Sequence, residues 1–381
     1  MARFSERSKQ IRPTGIRRMF DMAGDDAVQF GLGEPDFQPP DQAIEAFYTA
    51  MKNGKNKYTS TAGLPELRSE IAKLWHHKNP NLDESNVCIT MSGTNALLDI
   101  FLAIVDPGNN VLIPEPYFPL YPPDLTICGG EANFYPCHFD NDFVPKISDL
   151  ESRINQDTVA ILYNFPSNPT GGNVTTDQRD ELVSFAKKHD IWIISDEVYD
   201  RIVYDGPHVS FFEAGYEKVV MVQSFSKTFA MTGWRIGYLL SAHSQMMKEL
   251  TKMQYYVTAC SNDAMQYAVL EALRKTPNYP EEMCMEFKSR RDLICSRLNS
   301  MPGVSCHIPT GAFYVFPRFD IPGLSSEELA VKLLENGVLC SPGTAFGPAG
   351  EGHLRFAYTI GKEDITKGMD RVEKVVRELR R

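Results

Sequence analysis

Residues 159–200 read VAILYNFPSNPTGGNVTTDQRDELVSFAKKHDIWIISDEVYD, and this stretch decides the fold class. Its two ends, 159–163 and 191–194, are short continuous apolar runs rich in β-branched residues, the pattern of strands buried on both faces. Between them, 177–189 is a helix candidate. Outward from this unit the pattern repeats. Further apolar runs stand at 111–113, 219–222 and 236–240, and 94–104 carries Ala96, Leu97, Ile100, Phe101 and Ile104 at helical spacing. Strands alternating with helices predict an α/β domain with a mostly parallel sheet. The C-terminal part differs. Helical sequence from about 264 to 298 leads to the strand-like 312–316, an amphipathic stretch at 325–336, a strand at 354–358 and a final helix from Glu363, together a smaller α+β unit.

Composition narrows the function classes. The chain has 381 residues, enough for two or three domains or one large one, with 43% hydrophobic and 23% charged residues, which excludes disorder as the main state. The formal charge of −10 and the lack of a basic tract argue against nucleic acid or an anionic membrane as partner. No apolar run nears the roughly 18 residues of a membrane span. The N-terminal sequence has no apolar core of a secretory signal, so a cytoplasmic location is expected. Eight scattered cysteines without a CxxC pair read as small buried hydrophobes, and no Cys/His cluster has metal spacing. The pair His76-His77 reads as helix surface.

Four segments carry chemistry. Ser224-Phe225-Ser226-Lys227-Thr228 follows a buried strand, with Arg235 shortly after; hydroxyls and a guanidinium suit a phosphate, and a lysine beside a cation suits Schiff-base work, although a solvated loop is the plain alternative. Met91-Ser92-Gly93-Thr94-Asn95 opens a helix, where free N–H groups attract a phosphate; a simple Ser or Thr cap reads the same way. Asp196 ends a buried strand, where an acid is costly without a cation, unless it is only a helix cap. Residues 164–171, NFPSNPTG, are turn-rich and read alone as a loop.

Together with GLGEPDF at 31–37, NKYTSTAGLPELR at 56–68, SGTNAL at 92–97, PEPYFPLYP at 114–122, SDEVYD at 195–200, SFSKTFAMTGWRIGY at 224–238, PTGAFYVFP at 309–317, PGTAFG at 342–347 and HLRFAY at 353–358, these segments resemble the class I, fold-type I pyridoxal-phosphate aminotransferases, nearest the bacterial and archaeal aspartate and aromatic enzymes. The motifs follow in family order along nearly the whole chain. The resemblance implies a seven-stranded-type sheet in a large cofactor-binding domain at 46–285, with a discontinuous small domain from 1–45 and 286–381. It also implies a homodimer with shared active sites.

Residue by residue, the resemblance implies the following. Lys227 matches the lysine that binds the cofactor covalently and then serves as general base. Asp196 matches the carboxylate facing the pyridine nitrogen. Tyr199 and Asn168 match the pair that hydrogen-bonds the phenolic oxygen, and Tyr117 the aromatic stacked on the ring. Gly93, Thr94, Ser224, Ser226 and Arg235 match the phosphate cup, and Tyr58 a residue reaching over from the neighbouring subunit. Arg355 matches the clamp on the substrate α-carboxylate, and Gly33 a backbone approach to that carboxylate where a Cβ would obstruct.

Side-chain recognition departs from the dicarboxylate enzymes. Relatives specific for dicarboxylates often carry Lys where Thr94 stands, or use an Arg from the second subunit. The corresponding stretch here, 254–262, reads QYYVTACSN, with Tyr255 and Tyr256 but no cation; Arg17 or Arg18 near the mouth are the candidates to substitute. The expectation is transfer of an α-amino group from an L-amino acid (aspartate, aromatic or another neutral one) to a 2-oxo acid such as 2-oxoglutarate, by a ping-pong cycle. A β-lyase on the same scaffold is the alternative. A cofactor-sensing regulator is disfavoured, because such proteins add a basic DNA-binding module.

Overall fold

The computed structural model of the chain describes residues 4–11, 19, 24 and 26–380, so Arg17 and Arg18 lie outside the described residues. After β1 (Val28–Gln29), the strands β2 (Val87–Thr90), β3 (Asn110–Glu115), β4 (Glu131–Pro136), β5 (Thr158–Asn164), β6 (Trp192–Asp196), β7 (Val219–Ser224) and β8 (Gly237–Leu240) form one sheet. Its order is β2-β8-β7-β6-β5-β3-β4, with seven strands as expected. Pairs from β4 across to β7 are parallel, whereas β8 runs antiparallel to both β7 and β2. The sequence-level reading omitted β2 and β4. The exposed start of β4 and the short β2 explain why neither stood out as an apolar run.

Burial on both faces accounts for the apolar strands. Ile161, Tyr163, Ile193, Val219 and Met221 pack on one side of the sheet; Ala160, Leu162, Ile194, Val220 and Val222 pack on the other. The helix Thr176–Lys188 connects β5 to β6, opened by a capping box between Thr175 and Gln178. The helical region expected at about 264–298 is two helices, Asp263–Lys275 and Tyr279–Asn299. Pro277 lies at the break: it lacks an N–H and biases the preceding residue away from helix, while Pro280 starts the next one. The histidine pair lies in the turn after the helix Pro65–Leu74 rather than on it.

The remaining strands, β9 (Val304–Ser305), β10 (Tyr314–Val315), β11 (Arg318–Phe319), β12 (Val338–Leu339), β13 (Ser341–Pro342) and β14 (Leu354–Ala357), form small two- and three-stranded sheets. With the helices Ser326–Glu335 and Lys362–Leu379 they enclose a third core that contains Phe30, Phe313, Tyr314 and Phe356. This core also takes in Tyr199, Ile202 and Tyr204 from the loop after β6, so that loop bridges the two units. The helix Asp41–Lys52 runs unbroken through residue 46 and puts Ala43 in the large-sheet core, while Met283 is already in the third core.

Candidate functional site

The carboxyl ends of β5, β6 and β7 lie side by side, with Asn164 in register with Asp196 and Asp196 with Val222. That is where ligands bind in open α/β sheets. The start of the helix Gly93–Ile104 closes on the same edge. Gly237 permits this, because a Cβ there would strike the Gln223 carbonyl and the backbone at Ser92 and Gly93. The helix is capped by Ser92, whose Oγ accepts from the Asn95 N–H at 3.1 Å. A cavity of about 300 Å³ results, lined by Gly33, Gly93, Thr94, Asn168, Asp196, Tyr199, Ser224, Ser226, Lys227, Arg235 and Arg355 among others.

Asp196 is buried at the cavity floor, and burial pushes its carboxyl up to about 6. Opposing that, the Tyr121 hydroxyl donates to Oδ2 at 2.6 Å and favours the ionised form. Asn164 donates to the Asp196 carbonyl at 3.0 Å and accepts from the Asn168 N–H at 2.9 Å, joining the two segments. Lys227 stands on a single helical turn after β7, and its Nζ donates to the Gly33 carbonyl at 2.6 Å. Burial lowers the lysine to about 8; Glu34 pulls it back up, whereas Arg355 and Arg235 depress it further. An amine with an appreciable neutral fraction near physiological pH is what a base or nucleophile requires.

At the opposite side, Arg355 is buried between the rings of Tyr314 and Phe346, with Cζ 4.7 Å from each centroid. It donates to Asn168 Oδ1 at 3.0 Å and to the Gly31 carbonyl at 2.6 Å, and its Nε has no partner. Among the described residues no carboxylate pairs with it, and desolvation lowers its pKa. A buried guanidinium without an acid is a ready donor to an anionic ligand. Tyr199 shares a hydrogen bond with Tyr314 across 2.8 Å between hydroxyl oxygens. Arg235 is exposed at the cavity mouth, in the left-handed conformation at φ 56°.

One residue expected in this chain's own cavity is not brought to it. Tyr117 turns away and stacks on Phe134, ring centroids 5.0 Å apart, while its neighbour Phe118 lines the cavity instead. In this irregular segment after β3, Tyr117 and Phe118 take different sides, and the spacing alone does not say which faces inward. Tyr58 is 90% exposed and touches none of the cavity. Gly33 is in place, but the obstruction to a Cβ there is the Tyr314 hydroxyl. Tyr255 and Tyr256 are exposed outside the cavity. Sequence reasoning missed Tyr121, Phe118, Asn164 and Tyr314. All four stand inside motifs quoted above, so the motif was visible while the contact was not.

Residues 25–372 match the sequence pattern of aminotransferase class I and II. An aspartate aminotransferase of Pyrococcus abyssi is 38% identical over 384 residues, covering 98% of each chain. Aromatic-amino-acid aminotransferase 2 of Thermococcus litoralis is 36% identical, again over 98% of each. The solved alanine aminotransferase of Pyrococcus furiosus superposes with a TM-score of 0.93 at 33% identity, covering 99% of this chain and 100% of that one. None of these relatives supports the lyase alternative.

Proposed function

Because the chain belongs to the aminotransferase class I and II family and is an aminotransferase, we propose that it moves the α-amino group of an L-amino acid to a 2-oxo acid, 2-oxoglutarate being the acceptor, with pyridoxal phosphate as cofactor and in two half-reactions of a ping-pong cycle. The observation that carries this reading is one cavity holding a partly neutral lysine with, among the described residues, a buried carboxylate without an ion pair and a buried arginine without an acid. These are the donors and acceptors that pyridoxal phosphate and an amino acid together require. Asp196 would face the ring nitrogen. The helix start at Gly93 and Thr94, with Ser224, Ser226 and Arg235, would hold the phosphate. Phe118 would take the ring face.

When bound, the cofactor supplies an electron sink for the substrate carbanion. The chain's residues do the rest. Arg355 binds and orients the α-carboxylate. Lys227 Nζ would take the proton from the substrate Cα and pass it to the cofactor's C4′. Asp196, kept ionised by Tyr121, holds a proton on the ring nitrogen by charge attraction, and Tyr199 with Asn168 addresses the phenolic oxygen. The donor is proposed to be an aromatic or other neutral amino acid at least as readily as aspartate, since Thr94 offers a distal carboxylate no charge and 254–262 contains no cation. The relatives' names (aspartate, aromatic, alanine) span these choices. We further propose a cytoplasmic homodimer, the 90% exposure of Tyr58 suiting a residue that serves a second copy. The chain would divide into a large cofactor-binding unit at 46–285 and a discontinuous small unit from 1–45 and 286–381.

The test is a half-reaction screen: holoenzyme is mixed with each amino acid in turn, and loss of the lysine-bound chromophore's absorbance is followed. Conversion by at least one amino acid in wild type, and none in Lys227→Ala, is expected. Retention of the normal chromophore by Lys227→Ala would remove that residue from its role.

A further inference from the structure

Glu197 lies between Asp196 and Tyr199 in the chain, points away from the cavity, and is fully buried. Its carboxylate nevertheless meets four donors. Oε1 accepts from Ser195 Oγ at 2.6 Å, Ser210 Oγ at 3.0 Å and the Phe211 N–H at 3.1 Å; Oε2 accepts from His208 Nε2 at 2.7 Å. The Glu197 N–H donates to the Val222 carbonyl on β7 at 3.1 Å. One residue thus ties the end of β6, the strand β7 and the segment 208–211 together. An ionised carboxylate is acceptor-only, and here three donors converge on Oε1 while one reaches Oε2.

We propose that Glu197 is a positioning residue for the transamination site, clamping the segment 196–199 so that Asp196 and Tyr199 keep their relative placement. The loop that follows it supplies Tyr199, Ile202 and Tyr204 to the third core, while Val198 packs against both that core and the sheet-side core. Without the clamp, Asp196 stays paired with Tyr121 while Tyr199 follows the other unit. His208 completes the clamp: facing an acceptor-only partner, its Nε2 must carry the proton. Among the described residues its Nδ1 is buried without a hydrogen-bond partner, as is Oδ1 of Asp200, a neighbouring acid pushed up to about 6 by burial and drawn down by His208. Two further charges face this network. Arg179 donates to the Ser210 carbonyl at 2.6 Å, and Lys78, paired with Glu213, also feels Glu197.

The inference rests on reading the cavity as a pyridoxal-phosphate site, so wild-type protein is titrated first. Failure of wild type to bind pyridoxal phosphate overturns that reading, and this inference with it. Glu197→Gln, His208→Ala and His208→Gln are then compared by three measurements: pyridoxal-phosphate affinity, the pH midpoint of the bound chromophore's absorbance, and the melting temperature of the cofactor-free protein. In Glu197→Gln the amide presents a donor where donors already converge. The expected result is affinity weakened about tenfold and a midpoint moved by roughly half a pH unit or more. His208→Ala moves both in the same direction by less, and His208→Gln, which keeps a donor, restores them. A purely structural Glu197 would lower the cofactor-free melting temperature and leave affinity and midpoint at wild-type values, which overturns the proposal. Should Glu197→Gln not fold, unchanged affinity and midpoint in His208→Ala overturn it equally.

Discussion

Tyr121 and Asp196 form a buried pair, the tyrosine hydroxyl donating to Asp196 Oδ2 across 2.6 Å from the first turn of the helix Tyr121–Cys128. The bond opposes the desolvation that raises Asp196 to about 6. Tyr121→Phe removes it without adding bulk. The carboxyl pKa then rises further, so on acidification the carboxylate is lost at a higher pH than in wild type. A hydrogen bond to a charged group is worth about 1.5–3 kcal/mol, or one to two pH units at most. The acid limb of the kcat/KM profile should therefore move upward by up to that much. An unmoved limb would show that Asp196 does not depend on Tyr121.

Phe118 and Tyr117 separate two readings of one motif. Phe118 lines the cavity and Tyr117 stacks on Phe134. Phe118→Ala should weaken pyridoxal-phosphate binding by about 1 kcal/mol or more, the scale of an aromatic contact beyond its area. Tyr117→Ala should lower thermal stability and leave cofactor affinity within about twofold of wild type. The reverse pattern, measured by cofactor titration and melting, would return the stacking role to Tyr117.

Arg355→Lys keeps the charge and loses the fork. The lysine cannot hold both Asn168 and the Gly31 carbonyl, as Arg355 does now, and also grip a carboxylate bidentately. KM for the amino donor should rise about ten- to a hundredfold, with a smaller change in kcat. A variant with unchanged KM would place the substrate carboxylate elsewhere.

Thr94 bears on the choice of donor. It stands at the start of the helix Gly93–Ile104 and lines the cavity. Thr94→Lys would offer a distal carboxylate a charge worth roughly 1.5–3 kcal/mol, so kcat/KM for aspartate relative to phenylalanine should rise about ten- to a hundredfold. Wild-type preference for aspartate over phenylalanine by a hundredfold or more would contradict the premise and direct attention to Arg17 or Arg18.

The alternation of apolar runs with helical patterns sufficed for the parallel sheet, because strands buried on both faces leave a mark readable within five or six residues. The antiparallel β8 escaped that reading: a buried strand carries the same composition whichever way it runs. The motif residues were legible as types. Read singly, each segment had a plain alternative; the resemblance of the motifs to a known family picked out Lys227, Asp196, Asn168 and Arg355, and these do line one cavity.

What the chain's order of residues determined by itself was therefore the layering of the fold, written in local periodicity, and, through motifs that resemble a known family, the identity of the reactive groups. Tertiary structure alone decided which neighbour of a pair faces inward, Phe118 or Tyr117, and which distant partner a buried acid meets. Tyr121 and Asp196 are 75 residues apart, and Arg355 and Gly31 are 324 apart. The strength of such bonds comes from shared burial in a low-dielectric site, a property of the packed chain that neither partner's local sequence carries.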